Sequence, residues 1–158
     1  MHLRVTTTIL IGVLLIGSVV APLRAAPSEA CSLLTQANVS AALGVAIGAG
    51  QQIAGPSTCG WSAQGKRVTL TITRPAAGQS PVDRFNSGKT PIIGVTNEPA
   101  AGVGDDAYYV YFTKAPNSGT GLVVRKGSFV FEIRVYGFAL DQAKTIAKTL
   151  AQALTGRV

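Results

Sequence analysis

Residues 121–135 read Gly121-Leu122-Val123-Val124-Arg125-Lys126-Gly127-Ser128-Phe129-Val130-Phe131-Glu132-Ile133-Arg134-Val135. Gly127-Ser128 separates two runs of β-branched and aromatic residues, and such a break between strand-forming runs reverses the chain. In the second run Phe129, Phe131, Ile133 and Val135 recur at period two and share one face, leaving Glu132 and Arg134 on the other. Just upstream, Ala107-Tyr108-Tyr109-Val110-Tyr111-Phe112 supplies a third strand. Together they predict an antiparallel meander with one apolar side.

An apolar sheet face needs a cover. Ala139 to Leu154 provides one: Leu140, Ala143, Ile146, Ala147, Leu150 and Leu154 follow the helical period, with Lys144, Lys148 and Gln152 outward. Asp141 in the first turn suits the helix dipole, and Gly156 lies just past the end. Lys66 to Arg74 alternates Val68, Leu70 and Ile72 against Arg67, Thr69, Thr71 and Thr73, a strand with one buried face that Pro75 ends. Ser32 to Gly44 reads as one short helix with Thr35 as N-cap, Val39 and Leu43 on one face, and Gly44 as a left-handed stop. A Gly/Ala-rich segment to Gly55 and a turn at Pro56 lead into a strand at Cys59-Gly60-Trp61. Pro81 to Gly88 forms one or two helical turns. Pro91 to Gly104 is irregular, with a strand fragment around Ile92–Val95 and a loop. The fold class is α+β: an antiparallel β-sheet with an N-terminal and a C-terminal helix packed on one face.

The chain starts differently. Met1-His2-Leu3-Arg4 precedes an apolar run from Ile9 to Val20, then Ala21-Pro22 and small residues, which is the pattern of a secretory signal. The apolar run is shorter than the ~20 residues that span a bilayer core. Residues 1–26 are read as a secretory signal peptide, with cleavage after Ala25 or Ala26 left open, and 27–158 as a single disulfide-stapled α+β domain. Lipid attachment at Cys31 is less favoured, because Glu29 intrudes and the apolar run ends well upstream. The domain is then expected in the periplasm or outside the cell, with no stable membrane span after signal cleavage. In such an oxidising compartment Cys31 and Cys59, the two cysteines present, have one possible pairing. Closing that loop removes denatured-state entropy worth about 3.6 kcal/mol. Trp61, two residues beyond Cys59, is expected to pack beside the disulfide.

At this point the order of motifs resembles a family of small exported bacterial proteins, many of them actinobacterial lipoproteins, classed as a domain of unknown function. The resemblance rests on Cys31-Ser32-Leu33-Leu34-Thr35 with Leu43-Gly44, on Cys59-Gly60-Trp61, on Gly102-Val103-Gly104-Asp105-Asp106-Ala107-Tyr108, on Val124-Arg125-Lys126-Gly127, and on a closing helix through Ala147-Lys148-Thr149-Leu150. It covers most of residues 27–158. It implies a secreted α+β domain with a Cys31–Cys59 disulfide and no established activity. The lipid-attachment motif common in that family is missing here, so anchoring is not carried over.

The chain has 14 Lys and Arg against 7 Asp and Glu, a net charge of +7, and its single His is His2. Loss of Arg4 and Arg24 with the signal lowers the charge from +7 to +5 and leaves no His. Ser-His-Asp and Cys-His constellations and His-based metal sites are thereby excluded from the domain. No phosphate-binding glycine loop is present, since Gly102-Val103-Gly104 lacks a third glycine and a following helix. The basic residues form no dense run, the closest pairs being Lys66-Arg67 and Arg125-Lys126, so no nucleic-acid partner is expected. Asp105-Asp106 is the only adjacent carboxylate pair. It suits a turn, and adjacent side chains entering a strand diverge. Arg125 is placed to pair with Glu132 across the hairpin. If Tyr108, Val110 and Phe112 face the core, Tyr109 and Tyr111 stand exposed side by side, and tyrosine is enriched in contact surfaces.

The expectation is an exported, non-catalytic domain without cofactor or metal. It is a binding or interaction module of the cell envelope, using the sheet's polar face or the Gly/Pro-rich loops. The candidate surface is Tyr109, Tyr111, Asp105 and Asp106, and the partner an unidentified protein, envelope component or small ligand. Two alternatives stand beside it: a structural component of the envelope or of a complex, and a His-free hydrolase using carboxylates.

Overall fold

The computed structural model describes residues 28–112 and 118–158; the signal-peptide reading of residues 1–26 falls outside them. Ser28 opens the described chain as an N-cap, its Oγ accepting from the Cys31 N–H at 3.1 Å, and starts α1 (Glu29–Leu33). Leu34 then returns to extended backbone, which lets Thr35 cap a second helix, α2 (Gln36–Leu43). Thr35 Oγ1 accepts from the Asn38 N–H and the Asn38 side chain accepts from the Thr35 N–H, a reciprocal box that satisfies two helix-end donors. The segment expected as one helix is therefore two, each with its own cap. Gly44 ends α2 with φ +67°, as its position predicts.

Seven strands follow: β1 (Gln51–Gln52), β2 (Thr58–Ala63), β3 (Lys66–Thr73), β4 (Val95–Pro99), β5 (Asp106–Phe112), β6 (Gly119–Lys126) and β7 (Phe129–Tyr136). Between β3 and β4 lies α3 (Pro81–Ser87), and α4 (Leu140–Thr155) closes the chain. The strands form one antiparallel sheet in the order β1-β2-β3-β7-β6-β5-β4. Two runs of chain-adjacent strands, β1 to β3 and β4 to β7, thus meet at the β3–β7 pair, where Arg67 lies opposite Tyr136 and Thr73 opposite Val130. The link from β3 to β4 must pass from the middle of the sheet to its far edge, and it carries α3 across the face opposite α4.

The larger core lies between the sheet and α1, α2 and α4. Val68, Leu70 and Ile72 of β3 meet Phe131, Ile133 and Val135 of β7 there, with Leu122 and Val124 of β6 beside them. From above, α4 presses Ala143, Ile146, Ala147, Leu150, Ala151 and Leu154 onto these rows. Fully burying each Leu or Ile contributes about 1.5–3 kcal/mol, so this stripe is a principal source of cohesion. Leu140, expected in the stripe, is 51% exposed at the first turn. Cys31 and Cys59 are joined in a disulfide that ties α1 to β2, Cα to Cα 5.0 Å. Trp61 is buried in the same cluster as Cys59, and Gly50 passes so close to both that a Cβ there would lie 2.6 Å from the indole.

Under α3 a second, smaller cluster forms from Phe85, Tyr108, Val110 and Val130, with Val95, Phe112 and Val123 at its edge. The strand fragment expected around Ile92–Val95 lies farther on, in β4: Ile92 and Val95 form only an isolated bridge, closing a turn through a Val95 N–H to Ile92 carbonyl bond of 3.0 Å. No described helix is long and apolar enough to cross a membrane.

Candidate functional site

The alternation in β5 separates its aromatic residues as expected, but the larger core takes the opposite set. Ala107 and Tyr109 belong to the core under α4 with Tyr111 packed at its margin, while Tyr108 and Val110 belong to the cluster under α3. Tyr109 is buried and Tyr111 half-buried, so the two tyrosines are not an open pair. Their rings stack, centroids 6.4 Å apart, and Lys144 of α4 reaches over both, 5.2 and 5.3 Å from the two centroids. The Tyr111 hydroxyl donates to Glu98 Oε2 at 2.5 Å, and Lys144 Nζ reaches both Glu98 oxygens at 3.0 Å. The Tyr111 hydroxyl and then Lys144 hold the Glu98 carboxyl below its usual range, while the Tyr111 hydroxyl and then Glu98 push the Lys144 ammonium up. This cluster clamps β4 and β5 to α4.

Asp105 and Asp106 do not converge either. Asp105 reaches into the β6–β7 turn, where its carboxylate accepts from the Gly127 N–H at 2.7 Å and from Lys126 and Arg125 at 3.2 and 3.3 Å. The Gly127 N–H and then Lys126 lower its pKa. Asp106 instead pairs with Lys89 at 2.9 Å, tying the loop after α3 to the start of β5. Arg125 therefore goes to Asp105 rather than Glu132. Glu132 takes Arg134 of its own strand, Nε to Oε1 2.6 Å, because register sets Val123 and not Arg125 opposite Glu132. The four candidate residues thus occupy three separate settings, each with an intramolecular partner.

A concavity with both apolar and charged lining lies on the opposite face, between α3 and strands β5 to β7. It encloses about 340 Å³, within the ~300–1,000 Å³ of typical small-ligand pockets. Its floor is Val110, Val123 and Val130 with the Tyr108 ring, and its roof is Phe85, which meets Tyr108 edge to face at a centroid distance of 5.1 Å. Burial pushes the Tyr108 hydroxyl up to about 12, so it stays neutral at ordinary pH. Gly88 allows that hydroxyl its place, since a Cβ there would fall 2.2 Å from it. At one end Arg134 lies over the Phe112 ring, 4.2 Å from its centroid, while holding Glu132. Arg84 forms part of the wall, its Nη1 donating to Ser87 Oγ at 3.2 Å.

The sequence puts Glu132 and Arg134 on the polar side of β7; the apolar half of that face is not visible along one strand, because Val110, Val123 and Val130 come from three strands. The signal is Phe85 among Asp83, Arg84, Asn86 and Ser87 in α3, a large apolar side chain that needs an apolar partner. Comparison with protein-family models, with curated proteins and with solved structures returns no match for this chain.

Proposed function

We propose that this chain is an exported, non-catalytic binding module of the cell envelope, and that its ligand site is the groove beneath α3. The groove itself carries the reading: a concavity of about 340 Å³ with an apolar floor and charged groups at its margins is what a small amphipathic ligand needs. The Cys31–Cys59 disulfide fits an oxidising location. The secretory signal at residues 1–26, a periplasmic or extracellular site, and membership of the exported family resembled above belong to the same proposal. The non-catalytic part rests on chemistry: Glu132, the carboxylate lining the groove, is engaged by Arg134, and no His stands in residues 3–158 to act as a general base.

The test is a panel of amphipathic, saccharide and peptide fragments mapped on the ¹⁵N-labelled protein. Amphipathic compounds should shift the Val110, Val123 and Val130 amides. Shifts centred on Tyr109 and Lys144, or none with any class, would reject the groove as the site.

A further inference from the structure

Resting on the groove reading above, we infer that the occupant is a single-chain amphiphile with an anionic head group, its chain along the apolar floor and its head against Arg84. The first support is the charge of the lining. Three charged side chains line the groove, Arg84, Arg134 and Glu132. Glu132 and Arg134 neutralise each other at 2.6 Å, and Arg134 is further committed to the Phe112 ring. The nearby acids are engaged elsewhere: Asp83 accepts from Ser80 Oγ at 2.7 Å and Asp106 pairs with Lys89. Among the described residues Arg84 has no carboxylate within ion-pair distance, so one uncompensated positive charge remains on the wall.

The second support is the apolar surface the fold leaves unfinished. Val95, Phe112 and Val123 pack at the rim of the small cluster yet stay partly open. Beside them Ile92, which lines the groove, is 66% exposed, and Ile93 at the tip of the same turn is 94% exposed. An alkyl chain covers this lane at about 25 cal/mol per Å² of apolar surface removed from water. A saccharide leaves the lane wet, and a cationic amphiphile sets its head against Arg84. An apolar chain ending in a carboxylate or phosphate satisfies both the lane and the charge.

The experiment titrates the purified protein, disulfide intact, with octanoate, decanoate, decyl phosphate, decanol and decylamine below their micelle-forming concentrations, read by calorimetry and by ¹⁵N shifts. Decanoate should bind about tenfold tighter than decanol, and decylamine weaker than either. Affinity should rise about three- to fourfold for each methylene between octanoate and decanoate. Arg84→Gln should bring decanoate down to the affinity of decanol, and Arg84→Lys should recover part of the difference. Tighter binding of decanoate than of decyl phosphate assigns the head to a free fatty acid, and the reverse order assigns it to a single-chain phosphate ester. Equal binding of decanol and decanoate in the groove would overturn the anionic head while leaving the groove standing. Shifts at Val110 and Val123 with none of these compounds would overturn both. A dimer that Ile92→Asp dissociates, with decanoate unbound, would instead assign the exposed isoleucines to self-association.

Discussion

Lys144 is the side chain on which the margin of the larger core turns. It lies over Tyr109 and Tyr111 and holds Glu98, so one cation joins a helix to two strands. Tyr109→Ala removes a buried ring from this contact and should lower stability by about 3 kcal/mol in urea unfolding. A loss below about 1 kcal/mol would mean that the ring stands outside the core. Glu98 makes a prediction in pH. Its carboxyl is held below the ordinary 4.5 by Tyr111 and Lys144, so its contribution is present above that value and is lost as pH falls through the depressed one. Unfolding midpoints measured from pH 7 down to pH 3 should therefore fall more steeply in the wild type than in Glu98→Gln. Parallel curves would show that the clamp is energetically silent. Alternation in the sequence separated Tyr108 from Tyr109 correctly. It could not say which face held more core, because a second apolar patch under α3 competes for the same strand.

At the level of elements, caps and turns were the most legible features, since Thr35, Gly44, Pro81 and Gly88 act through contacts within a few residues. The β2–β3 hairpin turns through Gln64 and Gly65, both with positive φ, as a tight two-residue connection requires. β4 was less legible. Asn97, Glu98 and Pro99 have little strand preference, and a proline is tolerated there because β4 pairs on one side only. Entry into β5 depends on Gly104, which has φ +61° and lies so near the end of β6 that a Cβ would fall 2.6 Å from the Arg125 carbonyl. Gly104→Ala should cost about 2 kcal/mol or more, through left-handed backbone strain and the clash together. It should also speed hydrogen exchange at the Asp105 N–H, which donates to Arg125 O at 2.8 Å. Wild-type exchange in the variant would show that the loop has room to move.

Across the whole molecule, the α+β class and the closing helix were readable because each follows from a period within one segment. The order of the strands was not, because the β3–β7 pairing is a choice between distant partners that no local pattern encodes. The disulfide acts at this scale, fixing α1 to β2 at the end of the sheet away from β4. Reduction should lower stability by about 2–4 kcal/mol, measured as a shift in denaturation midpoint with and without reductant. An unshifted midpoint would mean that packing around Trp61 suffices alone. The central pairing also has a temporal consequence. A chain delivered amino end first presents Val68, Leu70 and Ile72 with β2 on one side and nothing on the other until Phe129 and the residues after it arrive. During that interval the sheet's middle is a raw edge, open to intermolecular strand addition. Synthesis that stalls short of β7 leaves two three-stranded units unpaired with each other, and the stretch from Phe129 onward is the fastening that makes them one body.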